Sequence, residues 1–290
     1  LATLNEGDAI LSDKAIIVKD GVIENILGSS EAVEEYNSAD VRFVDVSGKA
    51  IIPGLIDAHN HLLWAGDRFN EHKLRMDGLS YTEIAAAGGG IMQTVNHTRN
   101  ATDEQLIHIG KERLQESLRN GCTFLEAKSG YGLSTKEELR LLEIQNKLDL
   151  LVDLPSIHST WMGAHAVTPE ISYNEYTEEI LSDQLPNVLD SGLAQSADVF
   201  CEPGWFTIEQ SESILRASRK GGLDLRMHID EFTDGGGGEL ASELKVVTAD
   251  HAHHTPLDIR LDMMENGVMT GFLPGTPYCN GDDWPDFNNI

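Results

Sequence analysis

From Ala50 onward, the sequence repeats a strand, a loop and a helix seven times. The helices are the clearer part of the pattern. Thr102 and Gln105 form a capping box that opens a helix to about Arg119, and Leu106 and Leu114 lie on its apolar stripe. Strands that alternate with helices predict a parallel sheet covered by helices. The predicted strands span residues 50–56, 123–127, 154–162, 198–201, 223–227, 246–249 and 268–273, and further helices are predicted near 80–87, after Ser134, and over 208–220 and 257–265.

Two architectures can hold seven such units. An open doubly wound sheet would carry a glycine-rich phosphate fingerprint after its first strand, which this sequence lacks. A closed (β/α)8 barrel needs eight strands and about 250 residues. We therefore predict an α/β fold, a (β/α)8 TIM-like barrel over residues 50–290 with about seven of its eight strands, incomplete at its C-terminal end.

Residues 1–49 have a different pattern. Asp20-Gly21 stands between the apolar runs 15–18 and 22–27, which predicts a β-hairpin, and residues 41–46 predict a further strand. We expect this segment to be the N-terminal part of a small β-sandwich domain, since it is too small to be stable alone. The chain starts at Leu1 and has no evident stop after Ile290, so we expect both ends to be cut.

The formal net charge is −27. Such a surface repels nucleic acid and anionic membranes, so neither is expected as a partner, and an anionic ligand would need a local cation to bind. No apolar run approaches the roughly 20 residues of a membrane span. Three cysteines without CxxC spacing favour a reducing compartment, and we predict a cytoplasmic protein in which Cys122 and Cys201 are buried on strands.

Histidines follow three of the predicted strands. His59 and His61 follow the first strand, His228 closes the fifth and His251 the sixth. The carboxyl ends of parallel strands meet at one rim of a barrel, so these imidazoles should converge where a divalent metal could bind. A lone His-x-His pair is more often part of a solvated loop, but strand-end histidines elsewhere favour the metal site. The other histidines are predicted to be surface or packing residues: His72, His97, His108, His158, His253 and His254.

Several segments resemble a known family. Residues 53–61 (PGLIDAHNH) resemble the amidohydrolase superfamily signature. Nine segments in chain order are similar to imidazolonepropionases, and residues 126–133 (EAKSGYGL) and 162–166 (MGAHA) are the most specific. The others are residues 65–68, 88–91, 198–202, 228–232, 237–241, 249–251 and 273–275. Asn60, residues 252–254 and the long glycine run at 235–238 depart from the family pattern, which bears on fine substrate preference.

The resemblance implies one zinc or iron ion. Its ligands would be His59, His61 and His228, together with an aspartate that ends strand eight and is expected beyond residue 290. The metal would polarise a ring carbonyl and bring the pKa of a water towards about 7. His251 would hydrogen-bond that water or the developing oxyanion.

The resemblance also implies a substrate site for a small molecule with a carboxylate. Arg68 would clamp that carboxylate with its planar fork. Tyr131 and His165 would contact the imidazolone ring and its side chain, and Glu231 would hydrogen-bond a ring nitrogen as a binding and catalytic group. A plainer role for Glu231 is to orient His228. The implied reaction opens the ring of 4-imidazolone-5-propanoate to N-formimidoyl-L-glutamate in histidine degradation, in an enzyme that could be a homodimer.

Two alternatives stand beside this interpretation. The first is another cyclic amidohydrolase, or a deaminase acting on a heterocycle. The second is an inactive fragment of such an enzyme. Lys128 resembles the carbamylated lysine of two-metal relatives, but it lies on strand two instead of strand four, where Cys201 and Glu202 stand, so a site for a single metal is predicted.

Overall fold

The computed structural model describes residues 10–79, 83–84, 89–281 and 283–284. The chain divides into two compact units, Leu1–Leu55 and Ile56–Ile290, where the sequence suggested a boundary at residues 49 and 50. Within the described ranges, we find no helix that is both long and apolar enough to cross a membrane. The helix predicted near residues 80–87 lies outside the described residues except at 83–84, which are helical.

The first unit contains the predicted hairpin. Strands β1 (Lys14–Lys19) and β2 (Val22–Gly28) pair antiparallel, and helix α1 (Ser29–Glu35) follows. Asp20 and Gly21 join the strands with φ angles of 51° and 79°. Two residues at positive φ give a turn whose twist matches that of the strands, which is why Asp-Gly predicted it.

The strand predicted over residues 41–46 is not formed. These residues carry no regular structure, and Phe43 and Val44 are more than half exposed. A β-branched run becomes a strand only when a neighbour accepts and donates its backbone hydrogen bonds. The described residues offer this segment no such neighbour.

The second unit is built on a seven-stranded sheet. Its strands are hydrogen-bonded in chain order, and β4 to β9 pair in parallel. That order, with helices between the strands, is the pattern of a TIM-like (β/α) barrel, as predicted. The strands are β3 (Leu55–Asn60), β4 (Cys122–Lys128), β5 (Ser156–Ala164), β6 (Ser196–Cys201), β7 (Asp224–Ile229), β8 (Thr248–His251) and β9 (Met269–Gly271).

The first barrel strand was predicted too early. The prediction placed it at residues 50–56, but β3 begins at Leu55 and runs through Asp57 and His59 to Asn60. Strands β7 and β8 likewise extend two residues past their predicted ends, to Ile229 and His251. An apolar run marks the part of a strand that helices cover. The carboxyl end of the same strand carries polar residues, which a hydropathy pattern assigns to a loop, so the predicted strand stops too early.

Helices cover the outside of the sheet. Thr102 accepts a hydrogen bond from the Gln105 amide at the start of α4, and Ser134 caps α5 in the same way, so both predicted starts are confirmed. A π-helical turn (Ile180–Gln184) joins α6 to α7. The helices of this unit are α2 (Phe69–Met76), α3 (Ile91–Asn100), α4 (Asp103–Arg119), α5 (Thr135–Asp149), α6 (Tyr173–Glu179), α7 (Leu185–Ser191), α8 (Ile208–Lys220), α9 (Gly237–Leu244), α10 (Leu257–Glu265) and α11 (Gly275–Asn280).

The apolar core lies between the strands and these helices. Val199, Leu225 and Met227 are fully or almost fully buried and belong to one cluster with the helix residues Ile214 and Leu215. Each such side chain stabilises the fold by about 1.5 to 3 kcal/mol through burial. Cys122 and Cys201 are buried free thiols, as predicted, and Cys279 is exposed.

The other face of the same strands is charged. Side chains alternate along a strand, so the neighbours of the apolar core residues point into the barrel. These inward residues include Glu126, Lys128, Asp198, Arg226 and Asp250. Four of them are at most 2% exposed, all but Arg226. Buried charges of both signs therefore lie inside the barrel, next to the strand ends that carry the histidines.

Candidate metal centre and active site

Four histidines converge at the carboxyl ends of three strands. His59 lies near the end of β3 with His61 just after it, His228 is the penultimate residue of β7, and His251 ends β8. One ring nitrogen from each of His59, His228 and His251 lies within 4.8 Å of those of the other two. The Nε2 atoms of His61 and His228 are 3.4 Å apart. The structure therefore brings together all four histidines that the sequence singled out.

Two buried carboxylates fix the tautomers of two of these rings. Nδ1 of His59 donates a hydrogen bond to Oδ2 of Asp250 over 2.8 Å, and Nδ1 of His228 donates to Oδ1 of Asp198 over 2.9 Å. An ionised carboxylate can only accept, so each Nδ1 carries the hydrogen and each Nε2 keeps its lone pair. This is the arrangement that orients histidines which bind a metal through Nε2.

The spacing of the nitrogens fits a small divalent cation. In a tetrahedral site with bonds of about 2.0–2.1 Å, two ligand nitrogens lie about 3.4 Å apart, which is the separation of Nε2 in His61 and His228. The buried Nδ1 of His61 has no hydrogen-bond partner among the described atoms. No carboxylate of the described residues therefore holds the Nδ1 side of the His61 ring as Asp250 and Asp198 hold those of His59 and His228, and a metal bound at Nε2 would fix the ring.

The histidines of the cluster are neutral. Burial, followed by nearby positive groups such as Lys128, lowers the pKa of His59 and His228 well below its usual value, and burial does the same for His61. Burial also lowers the pKa of His251 to about 3. Only an unprotonated imidazole binds a metal, so the cluster is ready for a cation at neutral pH. The donor set and its spacing suit a divalent metal ion.

Beneath the histidines lies an ionic cluster that the sequence did not reveal as such. Nζ of Lys128 is 2.7 Å from Asp198, 2.9 Å from Glu126 and 3.6 Å from Asp250. Burial lowers the pKa of Lys128, but these carboxylates outweigh it and raise the pKa above its usual value. The ammonium form is therefore kept, and the charged nitrogen has no lone pair with which to form a carbamate.

A cavity of about 770 Å³ opens above the cluster. This volume suits a small-molecule ligand. Every residue that the sequence proposed for the site contributes to the cavity wall: His59, His61, Arg68, Tyr131, His165, His228, Glu231 and His251. Aromatic side chains that the sequence did not single out complete one side: Phe200, Trp205 and Phe232.

Arg68 lies at the cavity wall in a fixed orientation. Its Nε and one terminal nitrogen are 2.8 and 2.7 Å from Oε2 of Glu71. Glu71 is buried, and its other oxygen accepts a hydrogen bond from the Gly90 amide. The guanidinium is thus held by one carboxylate, and its position at the wall would let it meet a second one on a ligand.

Tyr131 and His165 lie next to His61. The His165 ring stacks on His61 at 4.9 Å, and the Tyr131 ring is 5.4 Å from His61. Nδ1 of His165 donates to the carbonyl of Gly130, which leaves Nε2 as the acceptor. Burial lowers the pKa of His165 to about 4, so this ring too is neutral.

Glu231 and His251 are neighbours in the cavity wall. Oε2 of Glu231 is 3.6 Å from Nε2 of His251. His251 has a φ of 69° and the following Ala252 one of 47°. Two consecutive residues other than glycine in the left-handed region are strained, and such strain occurs most often at functional sites.

The backbone around Glu231 is held by Glu202, which the sequence reasoning did not assign a role. Oε2 of Glu202 accepts from the Glu231 amide, and Oε1 accepts from the amides of Phe232 and Thr233. Glu202 immediately follows β6 and is 2% exposed. A buried acidic residue directly after an apolar strand was the available signal.

Protonation of Glu202 should make the folding stability of the protein depend on pH. Burial raises its pKa to about 7, against the three amides that lower it. Since this folded-state pKa exceeds the unfolded value of about 4.3, the folded protein binds more protons between the two values, and stability from this group falls as pH rises through that window. We expect wild type to lose about 2 to 3 kcal/mol relative to Glu202→Met between pH 5 and pH 8, measured by urea unfolding. A constant difference between the two proteins would contradict the assignment.

Solved structures of other enzymes share this fold. The chain superposes on atrazine chlorohydrolase from Arthrobacter aurescens TC1, complexed with zinc and atraton, with a TM-score of 0.67 and 13% identity over 99% of this chain and 67% of that one. It superposes on 5-methylcytosine deaminase from Klebsiella pneumoniae with a TM-score of 0.65 and 14% identity over 96% and 67%. The chain therefore shares the TIM-like (β/α) barrel fold of these two enzymes, and its converging imidazoles lie at the carboxyl ends of the strands.

The sequence itself is similar to imidazolonepropionases. It is 41% identical to the imidazolonepropionase of Thermoanaerobacter pseudethanolicus over 92% of this chain, and 40% identical to that of Alkaliphilus metalliredigens over 93%. The chain spans 64% and 62% of the length of those two relatives. No protein-family model matches the chain.

Proposed function

We propose that this protein is a metal-dependent hydrolase that opens the ring of 4-imidazolone-5-propanoate to N-formimidoyl-L-glutamate. The proposal includes zinc or iron(II) as the metal, since both accept nitrogen and oxygen ligands. It also includes His59, His61 and His228 as the ligands from this chain, with an aspartate beyond residue 290 as the fourth. A cytoplasmic location and a possible homodimer belong to the same proposal.

One observation carries the proposal. The eight side chains that the family resemblance selects come from six separate stretches of the sequence, yet all of them line one cavity. The sequence similarity to imidazolonepropionases supports the choice of substrate. The positive charge of Arg68 supports an anionic ligand, because a protein of net charge −27 needs a local cation to hold a carboxylate.

The chain's own residues would bind and orient the substrate. Arg68 would hold the propanoate, while Tyr131 and Nε2 of His165 would meet the ring and the start of its side chain. Glu231 would accept a hydrogen bond from a ring N–H. These contacts fix the ring carbon beside the histidine cluster, and positioning of this kind removes much of the entropic barrier to attack.

The other groups of the site would stabilise the charge that develops in the reaction and would transfer protons. A bound divalent metal supplies Lewis-acid polarisation of the carbonyl and makes hydroxide available near neutral pH. His251 would hydrogen-bond the attacking water or the oxyanion, and its proximity to Glu231 gives a route for a proton between the two side chains. Asp198 and Asp250 would keep His228 and His59 in the tautomers that leave Nε2 free.

Turnover tests the proposed function. The metal-loaded protein should hydrolyse 4-imidazolone-5-propanoate, followed by loss of its ultraviolet absorbance. Adenine, guanine and cytosine, assayed for ammonia release, serve as substrates of the alternative deaminase class. An inert imidazolone together with deamination of a base would contradict the proposal.

Arg68 separates the two enzyme classes further. Replacing it with methionine removes a charge-assisted hydrogen bond to the carboxylate, worth about 1.5 to 3 kcal/mol, so we expect kcat/KM for the imidazolone substrate to fall about 10- to 150-fold. An imidazolone that lacks the carboxylate should be little affected. Arg216→Met, at an exposed arginine paired with Glu212 and Glu243, is the matched control. Equal losses for both substrates would mean that Arg68 does not bind the carboxylate.

A further inference from the structure

Lys128 is a fully buried cation. It lies beside two carboxylates that accept hydrogen bonds from two histidines of the proposed metal site. Its side chain is 0% exposed, and so is that of Asp198, while those of Glu126 and Asp250 are 2% exposed. An ammonium group has three N–H donors and no acceptor, and here it donates to Glu126 and Asp198 and forms a longer ion pair with Asp250. All four side chains point into the barrel, below the strand ends.

Two of these carboxylates touch the lysine and a histidine at once. Asp198 is 2.7 Å from Nζ of Lys128 through Oδ2, and through Oδ1 it accepts from Nδ1 of His228 at 2.9 Å. Oδ2 of Asp250 is 3.6 Å from the same Nζ and accepts from Nδ1 of His59 at 2.8 Å. One ammonium group thus joins the supports of two imidazoles that belong to different strands, β3 and β7.

This linkage matters because orientation decides whether a histidine can bind a metal. Each Nε2 lies on the far side of its ring from the carboxylate, so a shift of Asp198 or Asp250 turns the corresponding Nε2 away from the shared point. Three buried carboxylates repel one another, and without a central cation they would separate or admit water. Lys128 supplies that cation from within the fold, before any metal binds.

We propose that Lys128 is a positioning residue of the metal centre, which acts through Asp198 and Asp250 to aim Nε2 of His228 and His59 at one cation. The proposal rests on the metal site of the proposed function. It adds a residue that touches neither metal nor substrate. Loss of the carboxylates that orient metal-bound histidines typically weakens metal binding 10- to 100-fold, and removal of the cation between them should have an effect of that size.

A purely structural role for Lys128 would be stabilisation of the barrel interior. Arg226 allows the two roles to be separated, since it is another inward cation, with a side chain 11% exposed. Its Nε lies 3.4 Å from Oγ of Ser196 and 3.9 Å from Glu126, and Nη1 lies 3.1 Å from Oγ1 of Thr248. It therefore shares the barrel interior but makes no direct bond to the carboxylates that hold the histidines.

The test uses Co²⁺ alone as the probe. Purified wild type, Lys128→Met and the matched control Arg226→Met are titrated with Co²⁺, and both the affinity and the visible absorption spectrum are recorded. Urea unfolding of each metal-free protein measures stability separately. We expect Lys128→Met to bind Co²⁺ 10- to 100-fold more weakly with an altered spectrum, and Arg226→Met to stay within about threefold of wild type.

A second variant covers the case in which Lys128→Met does not fold. Asp198→Asn keeps an oxygen that can accept from His228 but loses the charge that Lys128 binds, so it should weaken Co²⁺ binding with Lys128 in place. If both variants fold, the double variant should lose less than the sum of the two single losses, since they break the same chain of contacts.

The outcomes are distinct. Wild-type affinity and spectrum in Lys128→Met or in Asp198→Asn would overturn the inference, and so would equal weakening by Arg226→Met. A different result would show that the proposed function is wrong. A wild-type protein that binds Co²⁺ but does not hydrolyse the imidazolone would refute that function and leave the role of Lys128 intact.

Discussion

Replacing both His59 and His61 with alanine should abolish stoichiometric metal binding. These residues supply two of the three proposed imidazole ligands, and the double variant would keep fewer than the three protein ligands of a catalytic zinc site. The metal supplies both the polarisation and the hydroxide of the proposed reaction, so we expect activity to fall by at least a factor of about 1,000. Metal content by atomic emission and titration with Zn²⁺ measure the first effect, and initial rates measure the second.

An exposed histidine provides the control for this double variant. His108 lies on α4 with a side chain 71% exposed, and His108→Ala should bind metal as wild type does. Urea unfolding of the metal-free double variant is measured as well, because the loss of His59 leaves the buried Oδ2 of Asp250 without its imidazole donor and should lower the urea midpoint. Retention of one tightly bound metal per chain in the double variant would remove the basis of the proposed mechanism.

Replacing His251 with asparagine should lower kcat about 100- to 1,000-fold, the usual cost of losing one oxyanion donor. Asparagine tolerates the left-handed backbone that His251 adopts at a φ of 69°, so the substitution adds little strain. Its shorter side chain cannot reach the position of Nε2. Steady-state kinetics should therefore show a large loss in kcat and a much smaller change in KM.

Metal affinity decides which role His251 has. Its ring lies close enough to those of His59 and His228 to count among possible ligands. If His251 acts on the water and the oxyanion, the asparagine variant should bind Zn²⁺ within about threefold of wild type. A loss comparable to that of the His59 and His61 double variant would make His251 a ligand instead. His254→Asn, at an exposed position three residues on, controls for changes in this loop.

The local signals in the sequence determined the order of elements and the placement of the histidines. Helix starts were readable because a cap such as Thr102 acts on amides only three residues away. The meeting of the histidines could be predicted because each follows or ends a strand, and the chain leaves a parallel sheet at the same edge each time. From that rule alone, His59, His228 and His251 were expected to meet, and their rings lie 4.5 to 5.4 Å apart.

Strand boundaries and strand pairing could be predicted less well from the sequence. The strand predicted over residues 41–46 is not formed, because a strand depends on a neighbour that hydropathy cannot identify. Strand β3 was predicted too early because its inward residues, Asp57 and His59, are polar and therefore look like a loop. Pairing is a property of two segments, and a single sequence describes each of them separately.

By itself, then, the sequence determined a barrel of alternating strands and helices and the histidines at its rim, since both follow from periodicity and chain direction. Only the tertiary structure decided what those histidines rest on. Lys128, Asp198 and Asp250 come from strands β4, β6 and β8 and meet inside the barrel, where each charge is tolerable only because the others are within about 4 Å. That balance depends on distances across the barrel, which no local pattern of residues encodes.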